Sequence, residues 1–304
     1  YYDMPNLVEH LRELSINRLF NIPSFQTAWN QSWRQEINNQ IGTLPTVNSV
    51  LGIGDELRNI FRTTAVQGRD QGILAAGGAT WEALVCWYMN LCQIGSRSVT
   101  IKFTKELIPQ CLIDAITVMY GTFPSNTESD LMTIIFPDID EVRNILPNTS
   151  IEHFEEFKLN LDQIVQTNFN DIRLGIIQCK TNWNDNAQIP MLWDMIYNVR
   201  QFRSQNISVG TNGFSIQDLA EFTYSFVTVP SQNIDYRPNT TPVNRVSNLT
   251  GGNFWGQPTV NNVALSLREI FNRNFSAGQY QGLRQDLGNE IQNLTTNYTY
   301  FNIP

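Results

Sequence analysis

The stretch Asn170-Asp171-Ile172-Arg173-Leu174-Gly175-Ile176-Ile177-Gln178-Cys179-Lys180-Thr181-Asn182-Trp183-Asn184-Asp185 decides how this chain is read. Its apolar centre predicts a strand. Side chains two apart on a strand point the same way, so Gln178 and Lys180 project together while Ile177 and Cys179 face the opposite layer. An apolar strand that ends by delivering a carboxamide and an ammonium to one face is suited to chemistry. The plainer alternative is a strand end where Gln178 bonds a loop and Lys180 snorkels to water.

Upstream, the run from Glu128 to Pro137 reads as a second apolar strand with Asp130 at its mouth. Asp130 also reads as a turn residue closing Pro124-Ser125-Asn126. Between Gln71 and Ser96 the one charged residue is Glu82, set among Trp81, Leu84, Val85, Tyr88, Leu91 and Cys92 at helical spacing. A carboxylate at the edge of an apolar interior calls for a partner or a metal, and its other reading is an acid in the first turn of a helix.

An aspartate at the start of one strand, followed by an acid or amide, any residue and lysine near the end of the next, resembles the PD-(D/E)XK nuclease motif, in the style of type II restriction endonucleases. The resemblance spans roughly residues 78–230. Gln178 stands where the family has an acid, and Asp130 and Lys180 lie 50 positions apart with a helix expected near 150–168. The resemblance implies Asp130, Gln178, Lys180 and Glu82 as catalytic residues. It implies Mg2+ held by Asp130, Gln178, Glu82 and the Cys179 backbone carbonyl, with Lys180 orienting the attacking water. The implied activity is sequence-specific hydrolysis of double-stranded DNA by a homodimer in a bacterial cytoplasm. The alternative is a non-catalytic DNA-binding or assembly protein on the same fold.

The expected architecture is α/β (α+β), a central mixed sheet flanked by helices. Residues 1–304 read as one large domain: a helical N-terminal region over 1–75, a core over 76–230, and a candidate recognition loop with closing helices over 231–304. Leu7, Leu11, Leu14, Leu19 and Phe20 form one N-terminal stripe, and Trp29, Trp33 and Ile37 lie on another. Residues 102–120 read as helical, 190–203 as a helix, and 222–230 as a third strand.

Residues 231–260 are rich in Asn, Pro and Gly and read as a long irregular loop. Arg237, Asn244, Arg245 and Asn253, with Asn182 after the second strand, are its candidate DNA-binding residues, since Arg and Asn suit bidentate reading of guanine and adenine edges. Phe254 and Trp255 could equally plug the core.

Composition bounds these readings. A net charge of −8 over 304 residues advertises no general nucleic-acid footprint, so DNA binding would depend on a local stripe of cations and backbone donors. Cys86, Cys92, Cys111 and Cys179 show no CxxC pair and read as free thiols in a reducing compartment. His10 and His153 read as surface residues that build neither a zinc site nor a triad. Asn-x-Ser/Thr sequons such as Asn148 and Asn206 raise a secreted glycoprotein as a further alternative, without any disulfide framework to accompany it. The apolar stretch 73–94, broken by Glu82 and Asn90, reads as a buried helix rather than a membrane span.

Overall fold

A computed structural model describes residues 5–64, 71–126, 129–181, 206–229, 239, 241–250, 252–254 and 267–303. Helix α1 (Leu7–Phe20) begins at Asn6, whose side chain accepts from the Glu9 amide at 2.9 Å and so satisfies one of the unpaired donors of the first turn. Helix α2 (Pro23–Ala28) runs through one π turn (Trp29–Trp33) into α3 (Arg34–Ile41). Helix α4 (Val47–Thr63) opens with a reciprocal Thr46–Ser49 capping box, and α5 (Gln71–Cys92) follows. The predicted stripes explain the packing: Leu7, Leu11, Leu19, Trp29, Trp33 and Ile37 are all buried. The N-terminal region is helical as expected.

The rest of the chain alternates strands and helices. In order come β1 (Ser98–Lys102), α6 (Gln110–Ile116), the short strands β2 (Val118–Tyr120) and β3 (Phe123–Ser125), and β4 (Leu131–Ile135). Helices α7 (Asp140–Arg143), α8 (Asn148–Glu152) and α9 (Phe154–Thr167) lead to β5 (Arg173–Lys180). Strands β6 (Ile207–Val209) and β7 (Glu221–Thr228), helix α10 (Thr241–Leu249), strand β8 (Gly252–Phe254) and helices α11 (Arg268–Asn274) and α12 (Leu283–Glu290) complete it.

The main sheet is mixed, in the order β1-β4-β5-β7-β8, and a smaller sheet has the order β3-β2-β6. Strands β1, β4 and β5 are successively antiparallel, whereas β7 lies parallel to β5 and β8 parallel to β7. Alternation along the strands sends Leu131, Ile135, Ile177, Cys179 and Val227 into one core with α4, α5 and α11. It sends Met132, Ile134, Leu174, Ile176 and Tyr224 into another core with α1, α6 and α9. A sheet covered on both faces needs continuous apolar strands, which is why β4 and β5 lack the polar alternation of a half-exposed sheet. The α/β expectation therefore holds: a mixed sheet with helices on both sides.

Three readings need correction. Residues 102–120 are not one helix: β1 ends at Lys102, α6 occupies only Gln110–Ile116 and β2 follows. Pro109 interrupts the helical spacing that Leu107 and Cys111 suggest, because its ring fixes φ and removes a donor. The stretch 231–260 is not irregular throughout, since α10 buries Val243 and Val246 one helical turn apart and β8 extends the sheet. His10 is buried, edge-on to the Phe157 ring with centroids 4.7 Å apart, whereas His153 is exposed. The predicted helix at 190–203 lies outside the described residues.

Among the described residues no helix is long and apolar enough to cross a membrane. All four cysteines are free and buried. In α5, every side chain from Trp81 to Cys92 except Glu82 is buried, as expected of an internal helix.

Gly175, mid-strand in β5, marks a close approach. A Cβ there would fall 2.5 Å from Cε1 of Phe275 and 2.9 Å from Oγ1 of Thr223. Phe275 is itself fully enclosed and has little room to yield. Gly175→Ala is therefore expected to cost about 1–3 kcal/mol through overpacking, read as a lower denaturant midpoint at unchanged slope; equal midpoints would show that Phe275 can move.

Candidate active site

Strand register assembles the site. Leu131 pairs with Ile177 and Met132 with Ile176, so one step back along β4 brings Asp130 opposite Gln178. Lys102 pairs with Leu131, so the same end of the sheet receives the last residue of β1. Three chain-distant segments thus finish together, which the expected strand pair alone would not reveal.

Asp130 is held rigidly. Its Oδ2 accepts from the Cys179 amide at 2.7 Å and from Gln178 Nε2 at 2.9 Å. Gln178 is buried, and its Oε1 accepts from the Tyr224 hydroxyl at 3.1 Å, so the carboxylate on one side fixes which end of the amide faces which way. The chain Tyr224–Gln178–Asp130 thus engages Oδ2 of the carboxylate. A strand residue directs its N–H and C=O to the same side, so the Cys179 carbonyl emerges on the side of β5 from which its amide reaches Asp130.

Lys180 closes β5 and is half-buried. Its carbonyl accepts from the Val229 amide at 2.9 Å, anchoring it to the strand after its register partner Thr228. Glu82 reaches the sheet end from α5, where its Oε2 accepts from Lys102 Nζ at 2.5 Å. The partner that a lone carboxylate on an apolar helix requires is thus a lysine that sequence reasoning did not single out.

The electrostatics report how close these groups are. Burial pushes the Asp130 carboxyl up to about 6, and the neighbouring Glu82 charge adds to the rise. Lys180, the Cys179 amide and Lys102 oppose it without cancelling it. Burial likewise raises the Cys179 thiol well above the ordinary thiol range, so this side chain is a core group and not a nucleophile.

Among the described residues no group of three or more His, Cys, Asp and Glu side chains could hold a metal ion. The oxygen donors at the sheet end are instead the two carboxylates of Asp130 and Glu82, with a strand carbonyl beside them. That hard-oxygen set fits Mg2+, which takes one or two carboxylates and keeps much of its hydration. In the described arrangement Gln178 has its amide engaged between Asp130 and Tyr224.

The expected quartet of Glu82, Asp130, Gln178 and Lys180 is brought together, and Lys102 and Tyr224 join it. Lys102 was hidden by the helical reading of its segment, although Ser98-Val99-Thr100-Ile101-Lys102 shows the same β-rich run ending in lysine as β5. Tyr224 lay within an expected strand, but its partner depends on pairing with β5. Of the candidate DNA contacts, Asn182 and Arg237 lie outside the described residues. Asn244 is exposed on α10, Arg245 belongs to the same helix, and Asn253 sits in β8 opposite Phe226. One cleft of the described surface, of about 810 Å3, lies elsewhere and is lined by residues that include Leu51, Arg268 and Arg284. The candidate site is the end of a sheet.

No protein-family model matches the chain, and comparison with curated proteins returns no relative.

Proposed function

We propose that the chain is a Mg2+-dependent endodeoxyribonuclease of the type II restriction kind, hydrolysing phosphodiester bonds of double-stranded DNA as a homodimer. The observation that carries this reading is the meeting of Asp130, Gln178 and Lys180 on neighbouring antiparallel strands, with Glu82 near enough to raise the Asp130 carboxyl. A fold that only needed stability would gain little from a half-buried acid beside a second acid and two lysines.

Asp130 and Glu82 would hold the cation, with the Cys179 carbonyl beside them. Bound there, Mg2+ would supply charge neutralisation for the phosphate as it reacts. Gln178, fixed by Tyr224, holds Oδ2 of Asp130 against the strand and so positions the carboxylate. Lys180, a point charge on a flexible stem, orients a water for in-line attack on phosphorus; the water gives up a proton to solvent as it bonds to phosphorus, the P–O3′ bond breaks, and O3′ takes a proton from solvent, leaving a 3′-hydroxyl and a 5′-phosphate. Asn244, Arg245 and Asn253, with Arg237 and Asn182, are proposed to read the DNA. Two-fold duplex sites favour a two-fold dimer.

The test is incubation of the purified chain with phage or plasmid DNA at low salt, with Mg2+ and with chelator, since screening weakens phosphate contacts. Discrete fragments that require Mg2+ are expected. Intact DNA across several substrates would instead favour a non-catalytic DNA-binding or assembly protein. That second reading draws on the Gln178 amide being engaged inside the protein and on Glu82 being already paired with Lys102. Gln178→Glu separates the two: at a working site the added charge shifts the Mg2+ concentration for half-maximal cleavage, whereas a non-catalytic protein stays inactive at every concentration.

A further inference from the structure

We propose that Lys102 is a built-in counter-cation of the candidate metal site, occupying Glu82 and competing with a divalent cation for it. This rests on the nuclease reading of the same residues. The placement of Lys102 is over-determined. Asn90, two helical turns beyond Glu82 on α5, grips the main chain of Thr100: its Nδ2 donates to the Thr100 carbonyl at 2.6 Å and its Oδ1 accepts from the Thr100 amide at 3.0 Å. That clamp fixes β1 against α5. Strand alternation then turns Lys102, two residues on, toward the same helix and brings Nζ to Glu82 Oε2.

The pair is not a loose surface contact. Only 26% of the Lys102 side chain and 19% of the Glu82 side chain are exposed. The register that sets Lys102 against Leu131 places it one residue from Asp130, and the amide of the next residue, Phe103, donates to the Asp130 carbonyl at 3.1 Å. An ammonium held there neutralises the carboxylates in the absence of metal, because two acids confined at a sheet end repel each other and bear a burial cost. A divalent cation entering the site meets that same ammonium as a like charge, so Lys102 lowers cation affinity while stabilising the empty arrangement. Lys102 is a positioning residue and not a catalytic one.

Titration calorimetry with Ca2+, a hard cation taking the same oxygen ligands, tests this without any turnover. Wild type, Lys102→Met, Lys102→Arg and Glu82→Gln would be compared, each checked for cooperative unfolding. Lys102→Met is expected to tighten Ca2+ binding about tenfold, Lys102→Arg to leave it near wild type, and Glu82→Gln to weaken it. In the Glu82→Gln background, Lys102→Met should lose most of its effect. Unchanged or weaker binding in folded Lys102→Met, with binding still abolished by Asp130→Ala, would overturn the counter-cation role and leave the metal site standing. Should Lys102→Met not fold, Lys102→Gln carries the same expectation. Absence of any Asp130-dependent Ca2+ binding in wild type would overturn both the metal site and the role of Lys102.

Discussion

Replacing Asp130 with Asn is expected to abolish DNA cleavage, by about a thousandfold or more, while making the free protein more stable above neutral pH. Both effects have one cause. Asp130 is carried by the fold with its carboxyl raised to about 6 from 3.8, chiefly by burial and then by Glu82. The folded state therefore binds a proton more tightly than the unfolded chain does. The stabilising contribution of this group is fully present below about pH 4 and is lost as pH rises through about 6. A difference of about two pH units corresponds to about 3 kcal/mol of stability given up at pH 8. The carboxamide introduced by the substitution could still accept from the Cys179 amide but carries no charge, so Asp130→Asn should unfold at higher denaturant than wild type at pH 8 and at similar denaturant at pH 4. Saturating Mg2+ should stabilise wild type at pH 8 and leave Asp130→Asn unmoved. Retained cleavage in the purified variant would remove Asp130 from the site. A wild type as stable at pH 8 as the variant, without metal, would show the carboxyl to be unstrained.

Asn90→Ala, outside the site, is expected to cost about 3 kcal/mol. Beyond its two bonds to Thr100, Asn90 donates to the Cys86 carbonyl at 3.1 Å and its Oδ1 accepts from Arg12 Nη1 at 3.3 Å. Arg12 is fully buried and is paired with Glu9 through Nε at 2.9 Å. Truncation would leave the Thr100 amide and an Arg12 donor unsatisfied away from water, and such groups cost more than the net worth of the bonds they lose. Exposed Asn39, whose partner Gln35 lies in solvent at 2.9 Å, is the control, and Asn39→Ala should stay within about 0.5 kcal/mol of wild type. Equal unfolding midpoints for the two variants would mean that water replaces the Asn90 amide.

How far the chain could be read from residue types depended on whether a feature was local. Strands β4, β5 and β7 were legible because each is a run of β-branched or aromatic residues long enough to need burial, and Trp81 to Cys92 was legible because its period is helical. Strand β1 was not, since five residues between a helix end and Lys102 are too short to show a period of two. Helix α10 was obscured by Thr, Pro and Asn, which signal turns even though Val243 and Val246 supply a buried turn of helix. At the site, Asp130, Gln178 and Lys180 were visible as strand-end polar residues. The bonds that define them were not, because Lys102–Glu82 and Tyr224–Gln178 depend on register and on which helix covers which face. Burial of His10 belongs to the same class, for nothing in its charged neighbourhood indicates that Phe157 closes over it.

The grip of Asn90 on Thr100 also bears on how copies of this chain can assemble. Among the described residues β1 is the outermost strand on its side of the main sheet, and Thr100 stands opposite Thr133 with its own amide and carbonyl turned away from β4. Asn90, joined by the Ser15 hydroxyl at 3.0 Å, occupies those groups as a neighbouring chain would. An unprotected outer strand is a template for open-ended growth into fibrils. Here the template is filled at its midpoint by side chains that cannot themselves be extended. Copies that associate are therefore expected to meet elsewhere than at the middle of β1, and a stable pair need not compete with runaway polymerisation along that strand.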